Sequence, residues 1–125
     1  MLRCLVRSKI QRLVVTDKNL KYDGSLELDS RLMRAADILP SELVQVVNVN
    51  NGSRFETYII PARAGSGACV LNGAAARLGE VGDELIVMGL VWLTDSESRE
   101  HRLTRVNVDD RNRIGKSDRN SPRGR

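Results

Sequence analysis

The chain has 125 residues, 41% hydrophobic and 29% charged, which suits one domain with a real core. Its four aromatic residues, Tyr22, Phe55, Tyr58 and Trp92, leave that core to aliphatic side chains. No apolar run approaches the ~20 residues that span a bilayer, and the N-terminus lacks the apolar block of a signal peptide. The expectation is a soluble, unexported, cytoplasmic protein that does not engage a membrane.

The net charge of +4 is unevenly held. Residues 111–125 carry six basic side chains against Asp118, so the remaining 110 residues are nearly neutral. The basic stretch is rich in Asn, Ser, Gly and Pro and reads as a disordered, solvated tail. A nucleic-acid partner is therefore not expected. Cys4 and Cys69 are isolated thiols, and His101 is the only histidine, so no metal-ligand spacing is present. Both thiols are expected reduced and buried, with a disulfide left open by the sequence.

In chain order, Leu2 to Thr16 reads as one long, bent strand. Lys21-Tyr22-Asp23-Gly24-Ser25 is a turn, and Leu26-Glu27-Leu28 starts a second strand. Asp29 or Ser30 caps a short helix through Leu32, Met33, Ala35 and Ala36, ended by Pro40. Leu43 to Val49, Asn50-Asn51-Gly52-Ser53 and Arg54 to Ile60 form a hairpin, because Asn-Gly accepts positive φ. Gly65-Ser66-Gly67 is a loop, Ala68 to Leu71 a short strand, and Gly73 to Leu78 a helical turn. Glu84 to Thr94 is the most apolar strand, Ser96 to Glu100 a second helical turn, and Arg102 to Val108 a last alternating strand. Short strands joined by turns predict an all-β domain with short helices, a small closed barrel over residues 1–110.

The chemistry centres on Gly24-Ser25. A serine after a glycine at a sharp turn can attack the preceding carbonyl, which no glycine side chain shields. The peptide then shifts to an ester, and elimination and hydrolysis leave a pyruvoyl group as a new N-terminus. The same Asp-Gly-Ser sequence also closes ordinary turns. On local sequence alone the turn reading is the favoured one, with Ser25 closing a turn of an uncleaved barrel that serves as a binding module.

Lys9, Tyr22-Asp23-Gly24-Ser25, Asn51-Gly52 with Arg54, Thr57-Tyr58 and Asn72-Gly73-Ala74-Ala75-Ala76 resemble, in order and spacing, the bacterial aspartate 1-decarboxylase family. The resemblance runs from Met1 to about Val108. It implies a double-psi β-barrel, self-cleaved into residues 1–24 and 25–125, with a covalent pyruvoyl group made from Ser25. It also implies a homotetramer with sites between subunits, possible dependence on a maturation factor, and conversion of L-aspartate to β-alanine for pantothenate biosynthesis.

By the same resemblance, Ser25 supplies the group that forms a Schiff base with the substrate, and Tyr58 donates the proton. Thr57, Gly73, Ala74, Ala75, Arg54 and Lys9 contact substrate, and Asn72 orients the Gly24–Ser25 peptide for cleavage. No metal enters. A guanidinium matches a carboxylate with two parallel hydrogen bonds, so Arg54 is read as a carboxylate clamp; the carboxylate that the product retains is the preferred partner, with the opposite pairing left open. Strand alternation sets Arg54 and Tyr58 on one face and Thr57 on the other. One site holding all three then needs a twist or bulge, or a neighbouring subunit. Gln11, Lys21 and Arg77 stand where relatives commonly carry histidine, which leaves open a related decarboxylase acting on another amino acid.

Overall fold

The computed structural model describes residues 1–119, with side chains through Gly115. Nine strands form one sheet: β1 (Leu2–Val14), β2 (Asp17–Asn19), β3 (Ser25–Asp29), β4 (Leu43–Asn48), β5 (Arg54–Ala62), β6 (Cys69–Asn72), β7 (Glu84–Thr94), β8 (Thr104–Val108) and β9 (Ile114–Arg119). Their order is β2-β6-β3-β5-β4-β7-β1-β8-β9. The pairs β2/β6, β3/β5 and β1/β8 are parallel, and the others are antiparallel. Helices α1 (Ser30–Ala35) and α2 (Asp95–Arg99) and a 3-10 turn (Gly73–Leu78) fill the connections.

The bend expected in β1 comes from two register shifts against β7, between Val6 and Ser8 and between Ile10 and Leu13. Arg12 adopts a φ of 67° inside the second shift, the extra residue of a bulge that turns the strand. Past β1, Thr16 donates its N–H to the Cys69 carbonyl at 2.8 Å, and its hydroxyl accepts the Cys69 N–H at 2.9 Å. These bonds tie the run-out of β1 to β6, so the two halves of the sheet wrap one core. That core is aliphatic, as composition requires: Ile10, Leu26, Ile59, Leu71, Leu85 and Val106 are fully buried, and Phe55 packs at its margin.

Asp29 is the cap of α1, its carboxylate accepting the Arg31 N–H at 2.8 Å. The helix closes at Ala36 and Asp37, three residues before Pro40, because Asp37 takes a φ of 55°. The hairpin turns through a five-residue loop in which Gly52 has a φ of 78°. Asn48 and Asn51 each donate an amide N–H to the Leu78 carbonyl, at 3.1 and 3.0 Å. The hairpin thereby anchors the far end of the 3-10 turn.

Three expectations change. The tail does not begin at residue 111: Asn112 is buried, Ile114 packs on the core, and β9 pairs with β8. A buried asparagine with all its donors satisfied outweighs the tail's polar composition, while residues 120–125 of that stretch lie outside the described residues. Cys4 is exposed rather than buried, on the outer part of β1. Cys69 is buried, and burial pushes its thiol pKa up to about 12. The short strand β2 was not foreseen, since Asp-Lys-Asn carries no strand signature.

Candidate active site

The turn before β3 sits across the protein surface. Gly24 is exposed, whereas Ser25, the first residue of β3, is fully buried. Antiparallel pairing sets Asn72 of β6 directly opposite Ser25, where side chains on one face approach closely. The Asn72 amide donates to the Ser25 hydroxyl at 3.3 Å and to the Glu27 carboxylate at 3.4 Å. Ser25 in turn donates its hydroxyl hydrogen to the Asp23 carbonyl at 3.2 Å. Among the described residues, the Asn72 carbonyl oxygen is buried without a partner.

Gly73 follows Asn72 with a φ of 63° and opens the 3-10 turn. Its backbone lies against the processing turn, since a Cβ there would meet the Gly24 nitrogen and Cα at 2.6 Å. Only glycine fits, for both its conformation and its lack of a side chain. Ala74 comes next, its nitrogen 3.9 Å from where a Gly24 Cβ would stand.

Two cavities take one residue each of the Gly24–Ser25 peptide. The first, about 340 Å³, is lined by Tyr22, Asp23, Ser25, Glu27, Tyr58, Ile60 and Asn72. The second, about 380 Å³, is lined by Gly24, Leu43, Phe55, Glu56, Thr57, Tyr58, Ala74, Ala75 and Leu78. Tyr58 borders both. Its position follows from the parallel register of β3 and β5, in which Leu26 faces Ile59 and Glu27 faces Ile60. A larger cavity of about 670 Å³, bordered by Arg7, His101 and Arg102, contains none of the predicted site residues.

Ser25, Gly24, Asn72, Gly73, Ala74, Ala75, Thr57 and Tyr58 are therefore gathered in one place. Lys9 and Arg54 are not, and neither lines either cavity. Strand β5 pairs with β4 in unbroken register from Arg54 to Tyr58, so no bulge brings Arg54 round. Lys9 faces Met88, Met88 faces Gln45 and Gln45 faces Glu56, one row across four strands. Of the three positions where relatives commonly carry histidine, Gln11 pairs with Asn107 on β8, and Lys21 and Arg77 are exposed.

Glu27 was not among the predicted site residues. The signal was nonetheless in the sequence: two residues after Ser25 on a strand, its side chain shares the serine's face.

Fold and comparison together define a lyase built on an all-β barrel. The chain belongs to the aspartate decarboxylase family, whose model matches residues 1–115 and whose fold is the double-psi β-barrel. It is 53% identical over 106 residues to the aspartate 1-decarboxylase of Kosmotoga olearia, covering 85% of this chain and 92% of the relative. It is 53% identical over 112 residues to that of Heliobacterium modesticaldum (90% and 85% covered), and 48% identical over 113 residues to that of Thermoanaerobacter pseudethanolicus (90% and 97% covered). The family uses a pyruvoyl group. Among the described residues, no helix is long and apolar enough to cross a membrane.

Proposed function

We propose that this chain cleaves itself between Gly24 and Ser25, in the cytoplasm, to make the group with which it carries out its family's reaction: it decarboxylates L-aspartate to β-alanine and carbon dioxide, for pantothenate biosynthesis. The observation that carries the reading is the fully buried Ser25 hydroxyl, held between the Asn72 amide and the Asp23 carbonyl at the seam of two cavities.

Cleavage uses only the chain's own atoms and water. The Ser25 oxygen bonds to the Gly24 carbonyl carbon as its proton leaves, and the carbon–nitrogen bond breaks as the nitrogen takes up a proton. Loss of the Ser25 α-proton then expels the Gly24 carboxylate. Water replaces the nitrogen, which departs as ammonia and leaves a pyruvoyl cap on residue 25. Asn72 supports this course, because an N–H directed at the serine oxygen stabilises charge gathering there. The Gly73 backbone supports it by restricting where the Gly24 carbonyl can move.

The surroundings fit such a group: the residue that carries it begins buried, and the unpartnered Asn72 oxygen leaves an acceptor beside it. When present, the pyruvoyl ketone supplies an electrophile for the substrate amine and an electron sink when carbon dioxide leaves. Tyr58 borders both cavities, where its hydroxyl can hand a proton to the substrate Cα. Thr57 presents a hydroxyl, and Ala74 and Ala75 leave room for a small substrate.

Arg54 and Lys9 act on substrate from a neighbouring copy in a homotetramer. Their outward position on the sheet supports this assembly, since within one chain neither reaches Ser25's cavities. Arg54 then clamps the carboxylate that β-alanine keeps; binding the departing one would stabilise the ground state and slow the reaction.

Intact-mass measurement tests the first step. The expected result is two pieces of 24 and 101 residues, with Ser25→Ala remaining whole. A single full-length species from the native host, where any maturation factor is present, overturns the proposal. Carbon dioxide release from L-aspartate tests the second, and cleaved protein that does not turn over aspartate overturns that substrate.

A further inference from the structure

Glu27 belongs to no step described so far, yet its carboxylate meets the residue that governs Ser25. Ser25 and Glu27 are two apart on β3 and project to one face, with Asn72 opposite on β6. One amide nitrogen serves both oxygens, at 3.3 Å to Ser25 and 3.4 Å to Glu27. The NH2 group has two hydrogens, one for each oxygen.

An ionised carboxylate only accepts hydrogen bonds, and an asparagine amide has one accepting end and one donating end. Turned over, Asn72 would set its carbonyl oxygen against the Glu27 carboxylate and against the serine oxygen. That arrangement replaces two attractions with a repulsion inside a buried site. The orientation actually held leaves the Asn72 carbonyl oxygen buried and unpartnered, so something must outweigh that loss. Glu27 is the charged group in contact that can do so.

We propose that Glu27 is a positioning residue for self-cleavage: it fixes the amide orientation of Asn72, and so keeps an N–H donor rather than a carbonyl on the Ser25 oxygen. With the donor there, negative charge that builds on that oxygen as its proton leaves is stabilised. With the carbonyl there, it is opposed. This inference rests on the self-cleavage proposed above.

The test is the cleavage rate of freshly made full-length protein, followed by intact mass. Glu27→Leu should slow cleavage by about tenfold or more, the usual scale for losing a charge-assisted hydrogen bond, with an unchanged thermal midpoint. Glu27→Gln keeps an acceptor without enforcing the orientation and should fall between wild type and Glu27→Leu. In an Asn72→Ala background, Glu27→Leu should have no further effect, because Glu27 acts through Asn72. Wild-type rates in Glu27→Leu, equal rates in the Gln and Leu variants, or losses that multiply across the double variant each overturn the proposal. Should Asn72→Ala be too slow to time, the order of wild type, Gln and Leu decides. Failure of the wild type itself to cleave would instead overturn the underlying reading, so the two failures are distinct.

Discussion

Gly73 lies flat on Gly24: a methyl group on Gly73 would stand 2.6 Å from the Gly24 nitrogen and 2.7 Å from the Tyr22 carbonyl oxygen. The atoms it would meet are all backbone, so no side chain can swing aside. Gly73→Ala also forces a left-handed φ on a residue that disfavours it. The expected cost is about 2–4 kcal/mol of stability, together with self-cleavage slowed or lost. Thermal unfolding and intact mass measure both, and a variant that cleaves at the normal rate would show that the close approach does not confine the processing turn.

Tyr58 offers a separation of processing from turnover. Its ring forms part of both cavity walls, and its hydroxyl is the proposed acid. Tyr58→Phe keeps the ring and removes the proton. Self-cleavage should continue, while kcat for decarboxylation falls by about a hundredfold or more. Equal loss of cleavage would assign the hydroxyl to maturation instead.

Much of this was legible in the chain. The period-2 patterns of β3, β5 and β7, the Asn-Gly of the hairpin and the capping Asp29 all specify local structure through short-range chemistry. The gathering of Gly24, Ser25, Thr57, Tyr58 and Asn72 followed from the family pattern. Other features were not legible because they depend on contacts distant in sequence. Gly73 against Gly24 requires the β3/β6 register, and Asn112 requires Val14 and Gly67. A polar run such as Asp109 to Arg113 looks solvated until partners far along the chain meet its one inward asparagine. Glu27 was readable from alternation alone, yet its meaning required Asn72 beside it.

Asp29 gives a pH dependence with a definite sign. Burial pushes its carboxyl pKa up, but hydrogen bonds from the Gly67, Arg31 and Gly65 N–H groups outweigh burial and hold it below the usual 3.8. A carboxylate lowered in the folded state adds stability that is present above its unfolded pKa and lost as pH falls through its folded one. Stability to urea should therefore fall below about pH 4. Asp29→Asn should lower stability at neutral pH and flatten that acid slope. An unchanged slope would assign acid sensitivity to other carboxylates.

Asn112 ties its own segment to two others, at Val14 and Gly67. Its side-chain oxygen accepts the Val14 N–H at 2.8 Å, and its amide donates to the Val14 and Gly67 carbonyls at 2.8 and 2.9 Å. Asn112→Ala leaves a buried Gly67 carbonyl and part-buried Val14 groups unpaired and should cost about 2–4 kcal/mol. Truncation after Asp110 removes Asn112 and β9 and should cost at least as much. Denaturant unfolding reads both, and a truncated chain of full stability would restore the domain boundary at residue 110.

The outward face of β5 makes the subunit arrangement testable without a structure of the assembly. Ser25→Ala chains lack the cleavage nucleophile, and Arg54→Ala chains lack the proposed carboxylate clamp. Each variant alone should be inactive or nearly so. If sites form between copies, a mixed assembly contains some sites with an intact Ser25 from one chain and an intact Arg54 from its neighbour. Random mixing in equal amounts makes about a quarter of the sites complete, given a closed symmetric assembly. Co-expressed chains should then recover roughly that fraction of wild-type carbon dioxide release. If one chain supplied both residues, every site in the mixture would lack one of them, and no activity would return.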